Sequence, residues 1–144
     1  MHIADRLLEG LVTFSAHEME DAGEAFAETI LPDSTIALQG DLGAGKTTFV
    51  RGLARGFAIR TTIKSPTYSY YQIHQGRYQL IHLDAYRLED ESSLDALLIE
   101  DFLQSPWCLV IEWPSRVSDY LPRDTKFLNF RINGDGSHQI QMSK

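Results

Sequence analysis

Nine consecutive residues, Gly40-Asp41-Leu42-Gly43-Ala44-Gly45-Lys46-Thr47-Thr48, have the types and spacing to hold phosphate. They fit the pattern G-x-x-x-x-G-K-[ST]. Three glycines let the backbone turn tightly, so that its N–H groups converge on phosphate oxygens. Lys46 supplies a mobile positive charge for the outer phosphates. The Thr47 hydroxyl is placed to ligate a magnesium ion. The chemistry implied is that of a nucleoside triphosphate.

Two carboxylates stand where they could join that site. Asp84 follows the apolar run Tyr78-Gln79-Leu80-Ile81-His82-Leu83, and Glu112 follows Trp107-Cys108-Leu109-Val110-Ile111. An apolar strand ending in an acid delivers a carboxylate to a magnesium shell. Open α/β sheets bind ligands at the carboxyl ends of their strands. The plainer roles are a capping residue for Asp84 and a salt-bridged structural glutamate for Glu112. Lys46, Asp84 and Glu112 are the candidate catalytic residues. Ser65-Pro66-Thr67 adds two hydroxyls before a strand. Thr67 in such a connector can complete the magnesium shell and sense the last phosphate, or the stretch is simply a turn. Trp113 can gate the nucleotide or merely pack.

The elements that must position these groups follow from periodicity. Thr35 to Gln39 reads as a buried strand before the loop, and Lys46 to about Arg55 as a helix after it, with Gly56 as a possible stop. That order is what the phosphate-binding pattern requires. Upstream, Leu11 to Phe14 reads as a strand. Ser15 opens a helix, with Glu18 completing a capping box. Met19, Ala22, Gly23, Phe26, Ala27 and Ile30 give it one apolar face, and Pro32 ends it. Tyr68 to Ile73 and Tyr78 to Leu83 form an antiparallel hairpin around His74 to Arg77. Leu88 to Leu103 is an acidic helix, and Arg116 to Tyr120 a short one. Residues 127–132 and 139–142 form a last hairpin.

The chain has 144 residues, enough for one domain, read as spanning residues 1–144. No apolar run approaches the roughly 20 residues of a membrane span, and the N-terminus lacks the pattern of a secretory signal. The single Cys108 fits a reducing compartment. These features point to a cytoplasmic protein that makes no membrane contact. A net charge of −7 argues against a broad nucleic-acid surface. Within 46–64, however, Arg51, Arg55 and Arg60 stand without any acid. They form either a local patch for an acidic partner or RNA, or a solvated helix face. No Asn-Lys-x-Asp stretch reads guanine, no arginine-rich lid clamps a second nucleotide, and no Cys/His cluster has zinc spacing. The histidines, His82 among them, have no clear triad partners.

Taken together, the phosphate loop, Ser65-Pro66-Thr67-Tyr68, His82-Leu83-Asp84-Ala85-Tyr86-Arg87 and Ile111-Glu112-Trp113 resemble the four signatures of the TsaE (formerly YjeE) family. These are the bacterial ATPases of tRNA threonylcarbamoyladenosine biosynthesis. Order and spacing match from about Phe14 to Ile140. The resemblance implies a three-layer α/β/α phosphate-loop NTPase-like fold with a mixed, partly antiparallel sheet. It implies ATP and Mg2+ as ligands, TsaB and TsaD as partners, and tRNA reached indirectly through their complex. By this likeness residues 41–48 (Asp41, Leu42, Gly43, Ala44, Gly45, Lys46, Thr47 and Thr48) hold the nucleotide. Thr47 and Glu112 ligate magnesium. Asp84 is a catalytic carboxylate or an outer magnesium contact, and Thr67 and Trp113 lie in nucleotide-sensing segments. Two positions depart from the family pattern: His138 stands where many members have arginine, and Met19 where a threonine is frequent. Arg87 is a candidate arginine finger or a salt-bridge partner of the acidic segment. Other readings of the same loop are a nucleotide-dependent regulatory switch with little turnover and a small-molecule kinase.

Overall fold

The computed structural model describes residues 2–41, 43–63, 71–85, 99–113 and 121–143. In chain order these form α1 (Ile3–Glu9), β1 (Leu11–Thr13), α2 (Ala16–Ala27), β2 (Ser34–Gln39), α3 (Lys46–Gly56), β3 (Tyr71–His74), β4 (Gln79–Asp84), a 3-10 turn (Ile99–Phe102), β5 (Trp107–Glu112), β6 (Lys126–Ile132) and β7 (His138–Met142). The seven strands make one mixed sheet in the order β1-β7-β6-β2-β5-β4-β3. β4, β5, β2 and β6 run parallel, while β3 and β7 run antiparallel beside them. The α/β phosphate-loop fold with a partly antiparallel sheet is therefore the one expected. All four parallel strands point their carboxyl ends to one edge, and the loop 40–45 leaves β2 at that edge.

Side-chain alternation along the strands divides the core into two faces. Ile36, Leu38, Leu80, Cys108, Val110, Leu128, Phe130 and Ile140 pack beneath the three helices. Ile81, Leu83, Leu109 and Ile111 pack on the other face with Leu103 and Leu121. Most of Leu88 to Leu103 and all of Arg116 to Tyr120, read as helices, lie outside the described residues. Ile99–Phe102 is a 3-10 turn rather than the end of an α-helix.

α2 begins as its sequence dictates. The Ser15 hydroxyl accepts from the Glu18 N–H at 3.1 Å. The Glu18 carboxylate accepts in return from Phe14, one residue outside the cap, at 2.8 Å. The helix ends at Ala27, short of Ile30 and Pro32. α2 crosses α3 where neither helix carries a side chain. A Cβ on Gly23 would collide with the Phe49 carbonyl, and one on Gly52 with the Glu20 carbonyl. Gly56 serves the same seam against Ala27 and Glu24 instead of acting as a stop. The left-handed residue after α3 is Ala58 (φ 58°).

Three further differences from the sequence reading have physical causes. α1 has no clear signal in the sequence, because its seven residues are too few for a period; it is held by a His2 cap and buried Leu7. The first strand of the middle hairpin is described as Tyr71–His74, so His74 pairs with Leu80 instead of lying in the turn. The basic face of α3 is not a free patch. Arg55 bonds Glu20, Asp21 and Glu24 of α2, and these contacts hold its guanidinium above the ordinary arginine value, the Glu24 bond most of all. Arg51 donates to the Ile63 carbonyl at 3.3 Å.

Candidate active site

The loop between β2 and α3 is shaped by left-handed glycines. Gly43 (φ 82°) and Gly45 (φ 104°) adopt conformations that side-chain-bearing residues rarely reach. A Cβ at Gly43 would meet nothing within 4 Å, so the backbone there faces open space. Gly45 caps α3 with no side-chain hydrogen bond, and the first turn holds no acid. The first N–H groups of a helix have no intrahelical acceptor. The positive end of the helix dipole lies at the same place, an arrangement chemically able to receive an anion.

The loop is braced from outside by two residues, His138 and Met19. His138 at the start of β7 sits with Nδ1 2.9 Å from the Ala44 carbonyl, so Nδ1 carries the proton and donates. Buried Met19 of α2 packs against Gly45, where a Cβ would come within 2.7 Å of its methyl group. Both positions act on the loop's shape.

Lys46 opens α3 and is only 6% exposed. Its ammonium donates to the carbonyls of Gly40 and Asp41 and lies 4.3 Å from the Trp113 ring centroid. Burial pushes its pKa below the ordinary lysine value. The charges of Glu112, Asp41 and Asp84 oppose that shift, Glu112 most strongly. The two strand-end acids thus lie close enough to act on the loop lysine. The parallel register explains this proximity: Asp84 pairs with Glu112 across β4 and β5, and Glu112 with Leu38 across β5 and β2. Beyond Glu112 the chain turns at Trp113, a left-handed non-glycine residue (φ 62°) whose N–H donates to the Leu38 carbonyl at 3.1 Å. Such backbone conformations gather at functional sites.

The structure also supplies a partner for His82. Fully buried on β4, its Nε2 lies 2.6 Å from Oε2 of Glu112. The carboxylate accepts, so Nε2 carries the proton. Two-residue alternation places His82 on the same sheet face as Asp84. The contact with Glu112 needed the β4–β5 register, which the sequence does not print.

Of the expected site residues, Asp41, Gly43, Ala44, Gly45, Lys46, Thr47, Thr48, Asp84, Glu112 and Trp113 come together at this edge of the sheet. Asp41 is exposed, and Thr47 and Thr48 are half-buried at the start of α3. Leu42, Ser65, Thr67 and Arg87 lie outside the described residues. Thr47, Asp84 and Glu112 offer hydroxyl and carboxylate oxygens, the hard donors that magnesium takes. Among the described residues no group of three or more His, Cys, Asp or Glu could hold a metal alone. That donor set suits an ion that keeps waters and shares phosphate oxygens with a nucleotide, rather than one caged by protein.

The family model described as "Threonylcarbamoyl adenosine biosynthesis protein TsaE" matches residues 13–142. A Treponema pallidum protein named tRNA threonylcarbamoyladenosine biosynthesis protein TsaE is 34% identical over 92% of this chain and 98% of its own length. A Bacillus subtilis protein of the same name is 31% identical over 89% of this chain and 80% of its own length. A crystal structure of Bacillus subtilis YdiB superposes with a TM-score of 0.74 at 29% identity, covering 91% of this chain and 81% of that one. The four motifs, the phosphate-loop fold and these matches agree, and the chain belongs to the TsaE family of tRNA threonylcarbamoyladenosine biosynthesis proteins.

Proposed function

We propose that this chain is a magnesium-dependent ATP hydrolase that supports turnover by TsaB–TsaD in tRNA threonylcarbamoyladenosine modification. The observation that carries the reading is the meeting of Lys46 with the register pair Asp84–Glu112 beside an uncapped helix N-terminus. Phosphoryl transfer needs little covalent work from the protein; it needs positioning and neutralised charge. The 43–48 backbone and Thr48 would orient the phosphates. Lys46 would leave the loop carbonyls for the outer phosphates. Thr47 and Glu112 would hold magnesium, which supplies charge neutralisation across the phosphate oxygens. Asp84 would orient the attacking water. Trp113 and Thr67 would report the nucleotide's state to the partners, and tRNA would be reached only through the complex. The proposed site of action is the cytoplasm. No described helix is long and apolar enough to cross a membrane.

The test is phosphate release from ATP and magnesium by the wild type, Asp84→Asn and Glu112→Gln. Each variant should bind ATP and keep its fold while losing on the order of 10²-fold in rate. Wild-type rates in both would make the acids structural. Phosphate appearing on an acceptor molecule rather than in water would replace the hydrolase with a kinase.

A further inference from the structure

His82 is a costly residue to bury. Its side chain is fully enclosed, and Nδ1 has no hydrogen-bond partner among the described residues. An enclosed polar atom left unpaired is unfavourable, and an apolar side chain of similar volume would avoid it. What the imidazole gains is the 2.6 Å bond from Nε2 to Oε2 of Glu112. β4 and β5 set His82 opposite Val110 and Asp84 opposite Glu112, so the bond runs diagonally toward the strand ends. A glutamate has three side-chain torsions to order before it can hold a ligand in one place. The bond removes that freedom in advance and occupies only one of the two carboxylate oxygens.

We infer that His82 is a positioning residue for the metal–nucleotide complex, locking Glu112 through Oε2 so that Oε1 is presented to the magnesium ion. The inference rests on the proposed nucleotide site. It assigns His82 no contact with the nucleotide. A fixed Glu112 carboxylate also fixes the strongest counter-charge that Lys46 feels. Partners of this kind, behind a metal ligand, govern the ligand's orientation and the affinity for the metal.

The experiment measures Mn2+ as a spectroscopic stand-in for magnesium. Its affinity for the complex with a non-hydrolysable ATP analogue is read by electron paramagnetic resonance. Three variants are compared with the wild type. His82→Leu removes the donor. His82→Asn keeps an amide too short to reach Oε2. His82→Gln places an amide N–H about where Nε2 sits. Leu and Asn should weaken Mn2+ binding by about 10- to 100-fold, and Gln should recover most of that loss. Analogue binding in EDTA should be the same in all four proteins, a readout that general structural damage would not spare. Wild-type Mn2+ affinity in the Asn variant overturns the inference, whether or not the Leu variant folds. If the wild type binds the analogue and Mn2+ but no variant differs from it, the His82 role alone fails. If the wild type binds neither, the proposed function fails with it.

Discussion

The Lys46 ammonium lies 4.3 Å from the centre of the Trp113 ring, and the same ammonium bonds the Gly40 and Asp41 carbonyls. The loop lysine is thus held by its own loop and by the residue that follows Glu112. A cation over an indole face gains electrostatic attraction that grows as water is excluded. The contact ties the end of β5 to the start of α3 through the cation expected to reach the outer phosphates. Movement of Lys46 would therefore be felt at Trp113.

Replacing Lys46 with alanine removes the cation without touching the glycine backbone. A hydrogen bond to a charged group contributes about 1.5–3 kcal/mol, so ATP affinity should fall about 10- to 100-fold. Calorimetric titration checks this. Unchanged affinity would remove Lys46 from the phosphate site.

Burial gives Lys46 a signature in stability. Its folded pKa lies below the ordinary value of 10.5, which the unfolded chain retains. Between the two values the unfolded chain binds more protons, so this group's contribution to stability rises with pH. The denaturation midpoint of the wild type, measured relative to Lys46→Met, should therefore climb as the pH rises toward 10.5. A flat difference would mean that the opposing carboxylates cancel the burial.

Two glycines should fail in opposite ways. Gly52→Ala drives a methyl into the Glu20 carbonyl at the α2–α3 crossing and should cost about 1–3 kcal/mol. Gly43→Ala meets open space, so its stability cost is only that of a left-handed alanine, about 1–2 kcal/mol. Its methyl group stands where phosphate is expected. Denaturation and ATP titration of both variants should show Gly52→Ala as mainly a folding defect and Gly43→Ala as mainly a binding defect.

Cys108 sits at the centre of the sheet, fully buried, and burial pushes its thiol pKa up to about 12. The thiolate is the reactive form. A thiol reagent at about pH 8 should leave the folded protein unmodified and react only as it unfolds. Rapid labelling of the native protein would contradict the packing described for β5.

Much of this site is legible in the sequence because it is local. The phosphate loop, its strand and its helix are consecutive, and the Ser15–Glu18 cap joins residues three positions apart. The strand-end placement of Asp84 and Glu112 follows from apolar runs that stop at an acid. What is not legible depends on register and on helix crossing. His82 reaches Glu112 only because β4 lies parallel to β5. Arg55 finds Glu20, Asp21 and Glu24 only because glycines let α2 and α3 touch. Met19 and His138, distant in sequence from the loop, meet it from two elements. The sequence offers His138 and Met19 as departures from a pattern, but not their roles as braces.

The most direct measurement is ATP hydrolysis by the purified chain, alone and with TsaB and TsaD added. Slow, magnesium-dependent hydrolysis by the chain alone is the expected result, with a faster rate when the pair is present and both rates cut on the order of 10²-fold in Glu112→Gln. Tight ATP binding with no hydrolysis, and no response to TsaB and TsaD, would contradict it.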